Sequence, residues 1–194
     1  MSKLRYTFDE NKITAIVKDG LHLWIAFQGE DGVSKIIKST IYDPTRVLYE
    51  IDLNVDEIVD MVTNSTYVFM AVKDDDYVGV RIRRQNPLGS TLYYDKPGTI
   101  TEDPVGVAVG TDLYFLIPGA ISGENARVLH HNTTNSILEE NIELDIGGTT
   151  IRNASAIDID GDNEILYIAT NEDPITLAKL WDDSGWQLSS WQIE

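Results

Sequence analysis

A short apolar segment with an aromatic residue at its second position occurs four times along the chain. The four copies are Leu23–Ala26, Val68–Ala71, Leu113–Leu116 and Leu166–Ala169. Their aromatic residues are Trp24, Phe69, Tyr114 and Tyr167, at spacings of 45, 45 and 53 residues. Such a period is typical of chains in which one small structural unit is repeated and stacked. The repeat therefore constrains the fold more strongly than any other feature of the sequence.

The residues around each copy also repeat. A shorter apolar stretch and a turn precede each segment, with Asp19-Gly20 as the first turn, and a polar loop and two further strand-like stretches follow. Gly, Asn and Asp tolerate the positive φ angles that tight hairpins require. Each copy therefore predicts four antiparallel strands, a to d, joined in order. The segment 54–62 is the one place where a short helix is an alternative.

A four-stranded unit of this length, with a central apolar-aromatic strand and a turn such as Asp19-Gly20 before it, resembles a β-propeller blade. The predicted fold class is all-β: a four-bladed β-propeller or a propeller-like array of four-stranded antiparallel meanders, in one domain over residues 1–194. No copy has the Trp-Asp ending and Gly-His start of a WD40 blade, so the resemblance points to no specific family. The predicted blades cover about 12–53, 57–95, 104–144 and 153–193.

The sequence leaves open how the ring of blades would close. Residues 4–8 are a candidate strand that could close the ring within one chain. The alternatives are a dimer that pools eight blades and a ring completed by other chains.

The charge balance excludes several classes of partner. Lys and Arg number 15 against 32 Asp and Glu, a net charge of −17. So acidic a chain repels nucleic acids and anionic membranes. It has no cysteine, hence no disulfides or thiolate metal sites. There is no apolar signal region and no run of about 18 apolar residues long enough to span a membrane. These features predict synthesis in the cytosol without a signal peptide. If the chain is a virus protein, as considered below, it would then be incorporated into a virion.

Several predicted loops carry carboxylates. In a propeller the b–c loops and the links from strand d to the next strand a share one face, so the resemblance implies one acidic face. Its candidate binding residues are Asp74, Asp75, Asp76, Glu102, Asp103, Glu172 and Asp173. This face would bind a basic partner or cations, unless it is simply the polar loop surface of an acidic protein.

One acidic segment suggests calcium, and no other cofactor is predicted. Its carboxylates alternate in the manner of a calcium-binding loop, at Asp158, Asp160, Asp162 and Glu164. The segment departs from the EF-hand pattern, and a hairpin turn at Asp160-Gly161 also explains its composition. The adjacent His130 and His131 point to opposite faces of a strand, so the pair does not bind one ion together.

No local signature of an enzyme is present: the sequence has neither a Gly-x-Ser-x-Gly nor a phosphate-binding loop. No catalytic residue is predicted. We therefore favour a non-enzymatic binding or structural module that contacts other protein subunits, including copies of itself, with a virion or tail component of a bacterial or archaeal virus as the narrower role. The alternatives are a carbohydrate-binding lectin, with Trp181, Trp186 and Trp191 as candidates, and a small propeller hydrolase.

Overall fold

A computed structural model describes residues 12–28, 33–119, 123–146, 149–160, 165–171, 176–182 and 186–192, with the backbone alone at 146, 149–150 and in the last two ranges. The described elements are all β-strands. Four antiparallel sheets of four strands follow one another along the chain, and a two-stranded ribbon lies between the third and the fourth. Within the described residues there is no helix of the length and apolarity that crossing a membrane requires.

In each sheet the strands pair in chain order. Sheet 1 contains β1 (Lys12–Asp19), β2 (His22–Gln28), β3 (Ser34–Thr40) and β4 (Tyr49–Leu53). Sheet 2 contains β5 (Glu57–Thr63), β6 (Tyr67–Lys73), β7 (Tyr77–Arg83) and β8 (Leu92–Asp95). Sheet 3 contains β9 (Gly106–Val109), β10 (Leu113–Ile117), β11 (Arg127–His131) and β12 (Leu138–Glu143). The ribbon is β13 (Asp145–Ile146) and β14 (Thr149–Thr150), and sheet 4 contains β15 (Ala154–Asp160), β16 (Ile165–Thr170), β17 (Thr176–Asp182) and β18 (Trp186–Gln192).

The predicted all-β fold of four-stranded meanders is confirmed. The segment for which a short helix was the alternative forms β5, because its β-branched residues pack on both faces of a sheet. The candidate closing strand at residues 4–8 lies outside the described residues.

The first strand of each sheet lies beside the first strand of the next, in the order β1, β5, β9 and β15. Three of these strands have a bulge near their start, between Ile13 and Ala15, Ile58 and Asp60, and Ala154 and Ala156. A bulge adds a residue and increases the local twist. These strands form the inner edge of the array, with the later strands of each sheet on the outside.

The three larger clusters of the apolar core lie one at each junction between consecutive sheets. The aromatic residue of the sequence repeat lies at the centre of each junction. Trp24 and Phe69 are fully buried, and Tyr114 is 2% exposed. Aromatic side chains bury large areas on a flat surface, so the same residue type fills the same space at every junction.

A partly buried ion pair crosses the junction between sheets 1 and 2. Arg84 donates from Nε to Asp19 Oδ2 at 2.7 Å and from Nη2 to Asp19 Oδ1. Trp24 Nε1 donates to the same carboxylate at 3.3 Å, and Lys38 Nζ donates to the Arg84 carbonyl at 2.8 Å. Burial lowers the pKa of Lys38, and its ammonium lies 5.1 Å from the centre of the Trp24 ring.

Sheets 1 and 4 are the two ends of the array. Among the described strands, no contact comparable to those between consecutive sheets joins sheet 1 to sheet 4. A small cluster of Ile25, Phe27 and Ile37 is buried on the outward face of sheet 1, and the described members of that cluster all come from sheet 1. The described strands therefore form an arc with two end faces.

Candidate binding surfaces

The structure brings five of the seven predicted acidic residues to one edge of sheet 2. Asp74, Asp75 and Asp76 connect β6 to β7, and Glu102 and Asp103 lie in the link to sheet 3. Glu172 and Asp173 lie outside the described residues. The structure therefore describes only the part of the predicted acidic face that lies at this edge of sheet 2. The binding role of the face stays a prediction.

Lys96 joins the two acidic segments. Its Nζ donates to the Asp74 carbonyl at 3.1 Å and to Asp103 Oδ1 at 2.8 Å, and its side chain is 7% exposed. The Asp74 carboxylate accepts the backbone N–H groups of Asp76 and Tyr77 and so fixes the turn. Part of the acidic edge therefore stabilises its own loops, and Asp75 and Asp76 remain exposed.

The predicted calcium residues are only partly described. Asp158 and Asp160 are the last alternate residues of β15 and share one face of it. Asp158 Oδ1 accepts the N–H of Ile159 at 2.8 Å. Asp162 and Glu164 lie outside the described residues, so calcium binding here stays a prediction. The side chains of Trp181, Trp186 and Trp191, the candidates for carbohydrate binding, are also not among those that the structure describes.

Sequence reasoning missed a partly buried carboxylate at the inner edge. Asp60 accepts the N–H of Val107 at 3.0 Å and that of Met61 at 2.8 Å. Burial raises the pKa of Asp60, the nearby Asp158 adds to the increase, and the two N–H groups oppose it. Asp60 thus joins β5 to β9 by a hydrogen bond. The available signal was a lone acid within the apolar stretch Ile58–Val62.

The two adjacent histidines lie in different environments. His130 stacks on Tyr114 at 4.9 Å between ring centres. His131 is 1% exposed, with its ring at 5.3 Å from that of Tyr94 and 5.6 Å from that of Phe115. Burial lowers the pKa of His131 to about 4. Interactions with the backbone of Ser136 and Ile137 raise this pKa, but by less than burial lowers it.

Protein stability should fall with acid because His131 is buried in its neutral form. The unfolded chain takes up this proton near pH 6.5 and the folded protein only near pH 4, so the stabilisation is complete above pH 6.5 and is lost as the pH falls to 4. The loss should be roughly 3 kcal/mol. Urea unfolding at several pH values should show a steeper decline in the wild type than in His131→Phe; parallel profiles would contradict the assignment.

Exposed apolar side chains are concentrated on the loops between strands a and b and between strands c and d. Six of the nine large hydrophobic residues exposed in the described part of the chain lie there: Leu21, Tyr42, Val47, Leu48, Leu88 and Ile137. Those of sheet 1 are held near one another, since the N–H of Ile41 donates to the Leu21 carbonyl at 3.0 Å. Grouped exposed apolar residues are typical of contact surfaces.

A shallow pocket of about 440 Å³ lies beside the loop that joins β7 to β8. Arg81, Arg83 and Asn86 contribute polar groups, and Tyr67 and Leu88 contribute apolar surface. The Arg81 guanidinium lies 4.2 Å from the centre of the Tyr67 ring and donates to the carbonyls of Thr133 and Thr134, in the loop between β11 and β12 of sheet 3. Arg81 is thus a structural tie between sheets 2 and 3.

The arrangement of sheets is similar to solved propeller structures. The β-propeller domain of Cps50 (Swd1) from Myceliophteria thermophila matches 93% of this chain and 59% of its own length, at 12% identity and a TM-score of 0.64. The Dos1 propeller matches 86% of this chain and 44% of its own length, at 12% identity and a TM-score of 0.57. This chain is a β-propeller repeat protein.

The comparisons establish the propeller fold and not an activity. The glutaminyl cyclase of Myxococcus xanthus also matches, over 88% of this chain and 66% of its own, at 7% identity and a TM-score of 0.52. A similar arrangement of sheets thus occurs in an enzyme as well. No protein family model matches the sequence, and a comparison with curated proteins gives no match. The chain spans between 44% and 66% of the length of these three structures.

Proposed function

We propose that this chain is a non-enzymatic binding module that assembles side by side with other protein subunits, in the first place with a second copy of itself. The observation that carries the proposal is the exposure of Ile16 on β1. The corresponding residues of the other three sheets are all buried against a preceding sheet.

The correspondence follows from strand register. Ile16, Met61, Val107 and Ile157 each pair with the third residue of the repeated apolar segment in their own sheet. Met61, Val107 and Ile157 are 4%, 1% and 9% exposed and belong to the three junction clusters. Ile16 is 56% exposed. Its neighbourhood is therefore one side of a sheet junction that has no described counterpart.

Sheet 4 carries the other side of such a junction. The repeat aromatics Trp24, Phe69 and Tyr114 are buried against the sheet that follows them. Tyr167 occupies the same position in sheet 4 and is half-buried. One chain thus has both sides of a sheet–sheet contact at its two ends. Two copies joined head to tail would complete two such contacts and close a ring of eight sheets.

The expected contact lies along the inner edge. Ile13, which is 42% exposed, shares the outward face of β1 with Ile16, whereas Ile25, Phe27 and Ile37 on the same sheet are already buried. The opposing surface would therefore contact the exposed residues of β1. The residues of β2 and β3 that are already buried would not need to become part of the contact. The acidic edge at Asp75 and Asp76 belongs to a different part of the surface and does not oppose this contact.

Light scattering across a tenfold concentration range tests the arrangement. We expect the wild type to have twice the chain mass of 21.7 kDa and Ile16→Lys to have the single-chain mass, because a buried lysine ammonium would lose its hydration. Ile137→Lys is the matched control, since Ile137 is 60% exposed on a distant loop, and it should remain dimeric.

Two results would contradict the proposed dimer. A wild-type protein that stays at the single-chain mass at every concentration would show that the end faces do not associate. A dimer that Ile137→Lys dissociates and Ile16→Lys does not would place the contact on the apolar loops.

Within this class we propose the narrower role of a virion or tail component of a bacterial or archaeal virus. Its support is the combination of a cysteine-free, acidic and β-rich chain with surfaces suited to assembly. Mass spectrometry of purified particles tests it: peptides of this chain in amounts comparable to known particle proteins would support the role, and their absence would refute it.

A further inference from the structure

We propose that Asp112, His130 and Glu139 form a binding site for a divalent transition-metal ion such as Zn²⁺. His130 Nε2 lies 3.3 Å from Asp112 Oδ2 and 3.5 Å from Glu139 Oε2. One potential ligand atom from each of the three residues lies within 4.8 Å of the other two. The site is on the outer part of sheet 3, away from the end faces.

The backbone brings these residues together from three elements. Asp112 lies in the turn between β9 and β10, where the Gly110 N–H donates to the Asp112 carbonyl at 3.0 Å. His130 is on β11. The β11–β12 register is interrupted by a bulge opposite His130 and His131, and Glu139 is the extra residue.

The bulge explains why two consecutive glutamates approach one imidazole. Neighbouring residues of a regular strand point to opposite faces, and an extra residue redirects a side chain. Glu139 and Glu140 both reach the His130 ring, Glu140 Oε2 at 3.8 Å from Nδ1. Three carboxylates therefore surround a single histidine.

The two distances from His130 match those between the ligands of a metal. Zinc lies about 2.0–2.2 Å from imidazole nitrogen and carboxylate oxygen, so tetrahedral ligand atoms are about 3.4 Å apart. The distances of 3.3 and 3.5 Å from His130 Nε2 agree with this value. Three protein ligands would leave a coordination position for water.

Neighbouring groups hold the ligands in place. Tyr114 stacks on the His130 ring with 16° between the planes. Asn132 Nδ2 donates to Glu139 Oε1 at 3.3 Å, which leaves the other oxygen, Oε2, towards His130. Such outer partners orient ligands and increase metal affinity.

The composition of the site selects the type of ion. The three proposed ligands, with His130 in the neutral form that metal binding requires, carry a charge of −2, which a divalent cation balances. In the described part of the chain, no lysine or arginine forms an ion pair with Asp112 or Glu139. Imidazole suits Zn²⁺ and similar ions, whereas Ca²⁺ and Mg²⁺ prefer sites made of oxygen atoms.

Calorimetric titration of the full chain with Zn²⁺, in the presence of excess Ca²⁺, tests the proposal. We expect one Zn²⁺ per chain, and an affinity at least about 100-fold lower in His130→Gln and Glu139→Gln, because losing a ligand costs more than losing an outer partner. Titration with Co²⁺ should give visible absorption bands that both variants lose.

His22→Gln is the matched control, because His22 is also a partly exposed strand histidine, and it should bind like the wild type. Glu139→Gln changes an exposed side chain and keeps the test valid if His130→Gln unfolds. The proposal is overturned if the wild type binds no Zn²⁺, if Ca²⁺ displaces it, or if Glu139→Gln binds as tightly as the wild type. Absence of Zn²⁺ binding would leave the cluster as an ion pair, displacement by Ca²⁺ would identify a site selective for oxygen ligands, and unchanged binding in Glu139→Gln would place the ion elsewhere.

Discussion

Replacing Asp19 with asparagine is expected to lower the free energy of unfolding by about 2 kcal/mol, less than for a fully buried pair because the Arg84 side chain is 28% exposed. Removing the buried partner of an ion pair leaves the other charge without compensation, which costs more than the pair itself contributes. Asp19 is 5% exposed and accepts hydrogen bonds from both Arg84 and Trp24. The substitution would leave the Arg84 guanidinium at the junction between sheets 1 and 2 without its counter-charge.

Urea unfolding, followed by tryptophan fluorescence, measures this loss. Asp52→Asn is the matched control, because Asp52 lies 3.5 Å from Lys35 and its side chain is 71% exposed. An exposed ion pair contributes little, so the control should change stability by at most about 0.5 kcal/mol. Equal effects of the two substitutions would show that the Asp19–Arg84 pair is no more important than a surface pair.

Replacing Gly79 with alanine should destabilise the protein by about 3 kcal/mol. A Cβ at this position would lie 2.2 Å from Cζ of Phe115 and 2.9 Å from the Met70 carbonyl oxygen. Phe115 is fully buried at the junction of sheets 2 and 3, so its ring cannot move aside without displacing its neighbours. Overpacking of this kind typically costs about 1–3 kcal/mol, and sometimes more.

A double-mutant cycle identifies the cause of that loss. Phe115→Leu removes the ring atoms nearest to the new methyl group, so Gly79→Ala should cost much less in that background. Gly98→Ala is the control, since no atom lies within 4 Å of its Cβ, and it should leave stability almost unchanged. If Gly79→Ala costs as much in the Phe115→Leu background as in the wild type, contact with the ring is not the reason.

The two proposals are independent of each other. The end faces involve β1 and sheet 4, whereas the metal ligands lie in sheet 3. Loss of metal binding in Glu139→Gln should therefore leave the native mass unchanged, and Ile16→Lys should still bind Zn²⁺ if the site is correct.

The repeated segments were sufficient to predict the sheets because a strand's pattern is local. Trp24, Phe69 and Tyr114 recur at one position of the repeat, and each is buried at a junction. Turn residues such as Gly20, with φ of 58°, mark where adjacent strands reverse. Both signals depend on neighbours within a few residues, so they can be read without knowing how the sheets meet.

The sites depend on contacts between distant parts of the chain, which the sequence pattern does not record. Asp19 and Arg84 are 65 residues apart, and Asp60 and Val107 are 47 apart. Asp112 approaches His130 because β10 and β11 pair, and Glu139 does so because of a bulge. A histidine among polar residues has no metal-ligand spacing in the sequence, so this cluster was not predicted.

The sequence by itself therefore determined the type of sheet, the number of repeats and the residues that fill the junctions, because hydrophobic alternation and turn chemistry act over short distances. The tertiary structure decided which of the described positions of the repeat are covered, as the exposure of Ile16 against the burial of Met61 demonstrates. It also decided which polar side chains meet, such as His130 and Asp112. Burial and proximity are properties of sheets packed together, and equivalent residues in a repeat differ in them according to what lies on the other side.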